Sequence, residues 1–307
     1  MSRVHTEAEG CSATLNGALL ISFQKGQPGR QMLLEQDPGR LDLKDTRQGQ
    51  SGKGLSMEAE GKFRRTGLIA KKTLSFQVEL PKGAWSTFTP GQYSYLEWVD
   101  PPITDEKGNG RNFSVVSIPS ELPILSFATR LTGSAFKKCL EDLPDGSPIK
   151  VSGPFGEFSL PACLGSIRSL SWERPVVFVA GGIGVTPFRS MLLDSLAKCE
   201  AISFFLFTTN HSIEDSVFRE EFEMLARNHK NLFFDQIVSQ ASTPLPPGIE
   251  VGQLTPARLF ESIGEKSKNG DFYIAGPPSM VASFKYALLG AGILKEQIHT
   301  DSFLGYH

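Results

Sequence analysis

The chain has 307 residues, of which 40% are hydrophobic and 21% are charged, a composition typical of a globular protein with room for two domains. Its net charge of −2 gives no electrostatic reason to expect binding to nucleic acid or to a membrane surface. No apolar run approaches the roughly 20 residues of a membrane span, and the N-terminus has no secretory pattern, so we expect a cytoplasmic protein.

The cysteines and histidines form no metal-binding pattern. The four cysteines are scattered, with neither a C-x-x-C pair nor the close group of thiolates that a plant-type [2Fe–2S] cluster requires. The five histidines are equally dispersed. We therefore expect no metal site and reduced thiols.

Residues 1–60 predict an N-terminal extension. They mix Gly, Gln, Ser and charges of both signs without a hydrophobic period. Such a segment has little to bury, which favours a disordered or loosely packed chain. Its apolar part, residues 14–23, is a candidate strand or short helix docked on the rest of the protein.

Residues 61–165 predict a small antiparallel β-barrel. Short segments of strand composition are separated by Pro and Gly turns. The predicted strands are residues 66–70, 74–80, 92–98, 111–118, 124–130 and 149–152. One helix is predicted at residues 135–140, and Ser134 is suited to cap its N-terminus.

Residues 166–307 predict an α/β domain with a doubly wound parallel sheet. Continuous apolar strands, which indicate burial on both faces, alternate with helices. The predicted strands are residues 176–180, 202–208, 232–238 and 272–275, and the helices are residues 187–198, 217–227, 255–262 and 279–289. Thr255 is the expected cap of the third helix, and Pro256 its first residue. The boundary between the two domains is expected within residues 163–174.

A glycine-rich turn follows the first strand of this second domain. Gly181, Gly182 and Gly184 precede Thr186 and Pro187, which open the next helix. Glycines here let backbone N–H groups approach a diphosphate at the positive end of the helix dipole. Thr186 suits the N-cap, and the spacing differs from both G-x-G-x-x-G and the P-loop. Taken alone, the pattern also fits a plain turn between strand and helix.

Five short motifs occur in a fixed order along the chain. They are Arg111-Asn112-Phe113-Ser114, Gly153-Pro154-Phe155-Gly156, the turn from Gly181 to Pro187, Ala275-Gly276-Pro277-Pro278, and Asp301-Ser302-Phe303-Leu304-Gly305-Tyr306. Together they resemble the ferredoxin–NADP reductase superfamily, over roughly residues 62–306. The resemblance implies a flavin on the barrel and a nicotinamide nucleotide on the α/β domain, and the cysteine spacing predicts that this chain carries no iron–sulfur domain.

The first motif is similar to the flavin-binding motif of that superfamily. The resemblance implies that Arg111 contacts a phosphate oxygen, that Phe113 offers an aromatic face to the flavin, and that Ser114 places a hydroxyl near flavin N5. The usual residue at Phe113 is Tyr. Taken alone, the segment also fits an ordinary strand with one surface arginine.

The segment Gly133, Ser134 and Ala135 stands where the superfamily has a second phosphate loop. The resemblance implies that the free N–H groups of Ser134 and Ala135 bind phosphate at the helix terminus. Lys137 is a further candidate for phosphate binding, with a solvated lysine as the alternative.

Two further motifs are expected to approach the reacting rings. By resemblance, the loop Ala275, Gly276, Pro277 and Pro278 lies beside the nicotinamide, and many relatives carry Cys where this chain has Ala275. Near the C-terminus, Asp301 and Phe303 match an acidic and an aromatic residue near the flavin, and Tyr306 is expected to cover the ring. Ser114, Asp301 and Phe303 are therefore the catalytic candidates, with a frayed tail as the alternative for the last two.

The resemblance implies an NAD(P)H oxidoreductase that passes hydride from nicotinamide C4 to flavin N5 and then electrons to a separate acceptor. FAD is expected before FMN, and the acceptor is a ferredoxin, a flavodoxin, an oxygenase component or a quinone. Residues 208–212 contain no Arg or Lys for a 2′-phosphate, which favours NADH over NADPH. The alternatives are a non-catalytic flavin- or nucleotide-binding regulatory subunit and a protein that keeps only the fold.

Overall fold

The computed structural model describes five stretches of the chain, residues 56–161, 174–198, 202–241, 244–264 and 268–303. These stretches belong to one compact unit. The predictions for residues 1–55, for the domain boundary before Arg174 and for Tyr306 lie outside the described residues.

The first part of the structure is an antiparallel sheet. Its elements are β1 Met57–Ala70, β2 Thr73–Glu79, β3 Tyr93–Trp98, β4 Gly110–Ser114, β5 Ile124–Arg130, α1 Ala135–Asp142 and β6 Pro148–Phe155. The strands pair in the order β4-β3-β6-β1-β2-β5. The two ends of the sheet meet where the Val116 N–H donates to the Ser126 carbonyl at 2.8 Å, so the sheet curls into the predicted barrel.

Strand β1 begins earlier than predicted. It starts at Met57 rather than at residue 66, so residues 57–60 belong to the sheet and not to a loose extension. Glu58 and Glu60 point to solvent, whereas Phe63 is buried. The charged residues that indicated an extension are the solvent face of a half-buried strand.

Aromatic side chains fill the core of the barrel. Phe63 meets Trp98 edge-on at 5.1 Å between ring centroids, and Phe76 stacks on Phe127 at 5.4 Å. Helix α1 closes one end of this core with Phe136, which is buried. The rings of this core pack against one another, and this packing holds β4 and α1 close together. The candidate flavin residues stand on these two elements.

The second part is a parallel sheet with helices on both faces. Its elements are β7 Val176–Gly181, α2 Thr186–Leu196, β8 Phe204–Asn210, α3 Arg219–Asn228, β9 Leu232–Val238, β10 Glu250–Val251, α4 Pro256–Ile263, β11 Asp271–Gly276, α5 Pro278–Gly290 and β12 Ile298–Ser302. The strands run parallel in the order β10-β9-β8-β7-β11-β12. Separate apolar clusters cover the two faces, which confirms the predicted doubly wound sheet.

Three local predictions have different outcomes. Strands β10 and β12 were not predicted, because both lie at sheet edges, where polar residues such as His299 are tolerated. The prediction of Thr186 as N-cap is wrong: a 3₁₀ turn occupies Gly182–Val185, α2 begins at Thr186, and its hydroxyl donates to the Ile183 carbonyl. Thr255 does cap α4, since its hydroxyl accepts from the Arg258 N–H at 3.2 Å.

Helix α2 joins the two sheets. The Arg189 guanidinium donates to the Val116 carbonyl at 2.9 Å and forms a double hydrogen bond with Glu221 of α3. Next to it, the Ser190 hydroxyl donates to the Ser117 carbonyl at 2.6 Å, in a buried contact. These bonds hold the start of α2 against the segment that follows β4.

Candidate functional site

One cavity collects residues from both sheets. It has a volume of about 230 Å³ and lies between the barrel and the start of α2. We call it the inter-sheet cavity. Its walls are formed by Lys107, Arg111, Asn112, Phe113, Ser114, Ala128, Thr129, Arg130, Thr132, Ser134, Lys137, Ile183, Thr186 and Phe303. Seven residues predicted for flavin, nucleotide or catalysis therefore meet here: Arg111, Phe113, Ser114, Ser134, Lys137, Thr186 and Phe303.

The end of β4 supplies one wall. Ser114 is only 7% exposed and lines the cavity. Phe113 packs most of its ring into the aromatic core, with centroids 5.3 Å from Phe136 and 5.6 Å from Phe76. The predicted flavin contacts of Ser114 and Phe113 stay predictions, and Phe113 has a structural role as well.

Arg111 is already bound to a carboxylate side chain of this protein, that of Asp105. Its Nη2 lies 2.6 and 2.7 Å from the two carboxylate oxygens of Asp105. Its Nη1 donates to the carbonyls of Lys107, Gly108 and Gly110. The hydrogen bonds from Arg111 hold the pKa of Asp105 below its ordinary value, so the carboxylate is ionised.

The start of α1 forms the opposite wall. Gly133 has a φ of +76°, which favours glycine, and Ser134 takes the N-cap position. The Ser134 side chain makes no cap hydrogen bond, contrary to the prediction, and its buried Oγ has no partner among the described residues. The Ala135 N–H is not free either, because it donates to Asp105 Oδ2 at 3.1 Å.

Lys137 projects from α1 into the same cavity. Its ammonium donates to the Arg130 carbonyl at 2.5 Å and to the Thr132 hydroxyl at 3.1 Å. Burial, with a smaller contribution from the Arg111 charge, lowers the pKa of Lys137 to about 8. The lysine is therefore a partly buried cation of the cavity wall rather than a solvated side chain.

The glycine turn after β7 is shaped by a neighbouring loop. A Cβ on Gly184 would lie 2.6 Å from the Ala275 carbonyl carbon, and one on Gly181 would lie 2.7 Å from Pro277. Gly182 has a φ of +52°. Backbone packing thus requires glycine at Gly184, side-chain packing favours it at Gly181 and the positive φ favours it at Gly182, whether or not a diphosphate binds.

The two ends of this turn differ in their access to the cavity. Thr186 reaches the cavity wall although it is 3% exposed, whereas Pro187 is buried in the first turn of α2. The predicted nucleotide contacts of the turn stay predictions.

The loop after β11 packs against that turn. Ala275 is completely buried. Gly276 has a φ of +150°, and a Cβ at this position would meet the backbone of Gly181. Pro277 is the N-cap and Pro278 the first residue of α5. None of these four is among the described residues that line the inter-sheet cavity.

The two C-terminal candidates, Phe303 and Asp301, differ in whether they line the inter-sheet cavity. Phe303 lines the cavity, and its N–H donates to the Gly276 carbonyl at 3.0 Å. Asp301 lies on β12 opposite Ala275 and is not among the described residues of the cavity wall. The predicted catalytic roles of Asp301 and Phe303 stay predictions.

The cavity fits a flavin in part. Ser134 Oγ is buried without a partner, open space lies beside Gly133, and Lys137 adds positive charge, as expected where a phosphorylated ligand binds. The phosphate-binding donors do not fit, because Arg111 and the Ala135 N–H are both engaged with Asp105.

Within the described residues, two other kinds of site were searched for. No group of three or more His, Cys, Asp or Glu side chains is placed to hold a metal ion. None of the described helices combines the length and apolar character that crossing a bilayer requires.

Comparisons with known proteins agree with this architecture. Residues 178–285 match the family model of the oxidoreductase NAD-binding domain. The chain is 27% identical over 223 residues to the phenol hydroxylase P5 protein of Acinetobacter pittii, covering 71% of this chain and 58% of that protein. The chain thus spans less than two thirds of that relative.

Two solved structures share the fold. The Amycolatopsis cytochrome P450 reductase GcoB superposes with a TM-score of 0.66 at 21% identity, over 81% of this chain and 70% of that one. The ferredoxin NADP⁺ reductase of Neisseria gonorrhoeae, with bound FAD and NADP, has a TM-score of 0.64 at 19% identity, over 80% and 98%. The described residues thus share the fold of these reductases, and residues 178–285 match a nucleotide-binding oxidoreductase domain, as the resemblance in the motifs predicts.

Sequence reasoning did not single out the cavity-wall residues Lys107, Ala128, Thr129, Arg130 and Thr132, nor Asp105, which binds Arg111. Asp105 stands between predicted strands and belongs to none of the five motifs, so nothing in the pattern marked it. Its only local indication is the tendency of Asp to form a turn by accepting a hydrogen bond from the N–H two residues later, as Asp105 does from Lys107.

Proposed function

We propose that this protein is a flavin-dependent NAD(P)H reductase that transfers electrons to a separate acceptor. The inter-sheet cavity is the observation that supports it, because it joins Ser114 of the barrel to Thr186 at the carboxyl edge of the parallel sheet. Open α/β sheets bind ligands at that edge. In this proposal residues 61–165 hold FAD and residues 166–307 hold the nicotinamide nucleotide.

The residues of this chain would bind and orient the two cofactors. A bound flavin accepts a hydride from the nicotinamide and releases electrons to an acceptor. Ser114 holds a hydroxyl in the cavity wall, where it can donate a hydrogen bond to a ring nitrogen. Phe303, which is half-buried and tied to Gly276, limits water access between the two sheets.

NADH is the proposed donor. The segment after β8 contains no Arg or Lys from Thr208 to Asp215, and it exposes the Glu214 carboxylate, whereas Asp215 is buried and paired with Arg130. A 2′-phosphate beside the Glu214 carboxylate would be repelled. Titration of one preparation with NADH and NADPH is expected to give the lower dissociation constant for NADH, and equal or reversed values would contradict this choice.

An oxygenase component is the proposed acceptor, since the phenol hydroxylase P5 protein is a relative. A ferredoxin, a flavodoxin or a quinone are the other candidates. We also propose a cytoplasmic location, because reduced nicotinamide nucleotides and a free thiol such as Cys139 belong to a reducing compartment.

The test is an anaerobic absorbance spectrum of the purified protein before and after each nucleotide. We expect a flavin band that NADH bleaches. Ser114→Ala should slow the bleaching on the order of 10²-fold while the flavin content stays unchanged. The matched control is Ser94→Ala on the neighbouring strand, whose hydroxyl is buried outside the cavity and should leave the rate unchanged.

A regulatory flavin- or nucleotide-binding subunit is the second candidate. The engagement of Arg111 by Asp105 favours it, because the main phosphate donor is already satisfied. A flavin band that neither NADH nor NADPH bleaches would favour this candidate. A preparation without a flavin band, even after reconstitution with FAD, would contradict the reductase and the flavin-binding form of the regulatory subunit.

A further inference from the structure

The Asp105 carboxylate has partners of the kind that bind a phosphate group in proteins. Each of its two oxygens lies within 2.7 Å of the Arg111 guanidinium, and Oδ2 also accepts from the Ala135 N–H at the start of α1. A planar guanidinium together with a helix N-terminus is the donor set that proteins use for phosphate oxygens. In this chain the set holds a carboxylate from the chain itself.

The contacts of Asp105 are of two kinds. The bond from the Lys107 N–H to Oδ1, together with the backbone bond from Gly108 to Asp105, closes a local turn in the loop between β3 and β4. The bonds to Arg111 and Ala135 are not needed for that turn. They connect the loop to the start of α1 and to Arg111, which lines the inter-sheet cavity.

The surroundings of Asp105 are those of an anion site. Lys107, Arg130 and Lys137 line the same cavity. Lys107 is exposed, and Arg130 is paired with Asp215 at 3.0 Å, so Lys137 is the cation that faces the cavity from α1. Beside it, the buried Ser134 Oγ has no partner among the described residues, which is the arrangement expected if a further ligand oxygen belongs at this helix terminus.

We propose that Asp105 competes within the chain for the phosphate-binding site of the cofactor, and so sets the affinity for phosphorylated flavins. This inference rests on the proposed function in one respect, that a flavin enters the inter-sheet cavity. The carboxylate must leave Arg111 and the Ala135 N–H before a phosphate oxygen can take its place. A flavin without phosphate has no need of these donors and does not compete with Asp105.

The experiment compares the full-length wild-type protein, freed of flavin, with Asp105→Asn. The asparagine amide oxygen can still accept from the Lys107 N–H, so the local turn is kept, while the negative charge beside Arg111 is removed. The probes are riboflavin, FMN, FAD and inorganic pyrophosphate, with dissociation constants from calorimetry. We expect FMN, FAD and pyrophosphate to bind Asp105→Asn about tenfold more tightly and riboflavin to bind within about twofold of the wild type.

Glu106→Gln is the matched control. Glu106 is the exposed neighbour of Asp105 in the same loop, so its substitution removes the same charge without changing the contacts of Arg111. It should leave all four dissociation constants within about twofold. An equal gain from both variants would overturn the proposal and indicate a general charge effect.

The remaining outcomes decide the proposal as well. Unchanged or weaker binding of FAD and pyrophosphate by Asp105→Asn would overturn it, and Asp105 would then only hold Arg111 in place. If no flavin binds to either protein, the proposed function fails, and the pyrophosphate constants alone decide whether Asp105 competes with an anion. If Asp105→Asn does not fold, Asp105→Ser provides the same comparison, since its hydroxyl can also accept from the Lys107 N–H.

Discussion

The glycine turn after β7 and the start of α1 meet the same cavity but are held in different ways. In the turn, backbone packs on backbone: a Cβ on Gly184 would meet the Ala275 carbonyl. At α1, charge holds the structure, because Asp105 links Arg111 to the Ala135 N–H. The comparison teaches that close packing allows one residue type only, whereas a charge contact can be exchanged for an external anion of similar geometry.

The largest effect is expected from Gly184→Ala. The added methyl would lie 2.6 Å from the Ala275 carbonyl carbon, and neither backbone segment can move away without disturbing a buried strand. We expect the free energy of unfolding to fall by about 3 kcal/mol. Urea denaturation followed by circular dichroism measures this change.

The control for that substitution is Gly290→Ala at the end of α5. No heavy atom lies within 4 Å of the position that its Cβ would take. The alanine is expected to be neutral or to stabilise by about 0.5 kcal/mol. If Gly184→Ala unfolds at the same urea concentration as this control, the turn is not held by backbone packing.

The second expected effect is a pH dependence of the free energy of unfolding, caused by Lys137 in the cavity wall. The pKa of Lys137 is about 8 in the folded protein, against an ordinary value of 10.5. Between these values the unfolded chain binds more protons than the folded protein, so the free energy of unfolding should rise with pH. We expect a rise on the order of 1 kcal/mol across this window, and Lys137→Met should remove it.

Lys138→Met, which changes the exposed neighbour on the same helix, should keep the rise. Chemical denaturation at several pH values from about 7 to 10.5 measures both variants. A rise that persists in Lys137→Met would assign the pH dependence to another group.

The smallest effects are expected at two helix N-termini. Thr255 caps α4 through its hydroxyl, so Thr255→Ala should lower the free energy of unfolding by about 1 kcal/mol. Ser134 makes no cap bond at α1, where the Ala135 N–H donates to Asp105 instead. Ser134→Ala should therefore change the free energy of unfolding by less than about 0.5 kcal/mol. Thermal unfolding measures the pair, and equal losses would contradict the view that Asp105 replaces the cap.

Much of the fold could be predicted because its signals are local. The continuous apolar run of β7 and the Thr255-Pro256 start of α4 both depend on neighbours in sequence. The errors lie where local and tertiary signals differ. The charges of Glu58 and Glu60 concealed the start of β1, because they face solvent from a strand whose other face is buried.

The candidate site was predicted less completely than the fold. Ser114 and Thr186 were singled out by their motifs and do meet in one cavity, although they stand on different sheets. Asp105 was missed, because its role depends on Arg111 and on Ala135, a residue 30 positions away in sequence. No periodicity or motif predicts an ion pair of this kind.

The sequence by itself determined the two sheets and their order along the chain, because buried strands, helix starts and glycine turns are each encoded within a few neighbouring residues. Only the tertiary structure decided which partners Asp105 and Gly184 have. It brought Asp105 to Arg111 and the start of α1, and it set the Ala275 backbone against Gly184. The contacts of Asp105 with Ala135 and of Gly184 with Ala275 join segments that lie far apart in the chain, so they exist only after those segments have folded together.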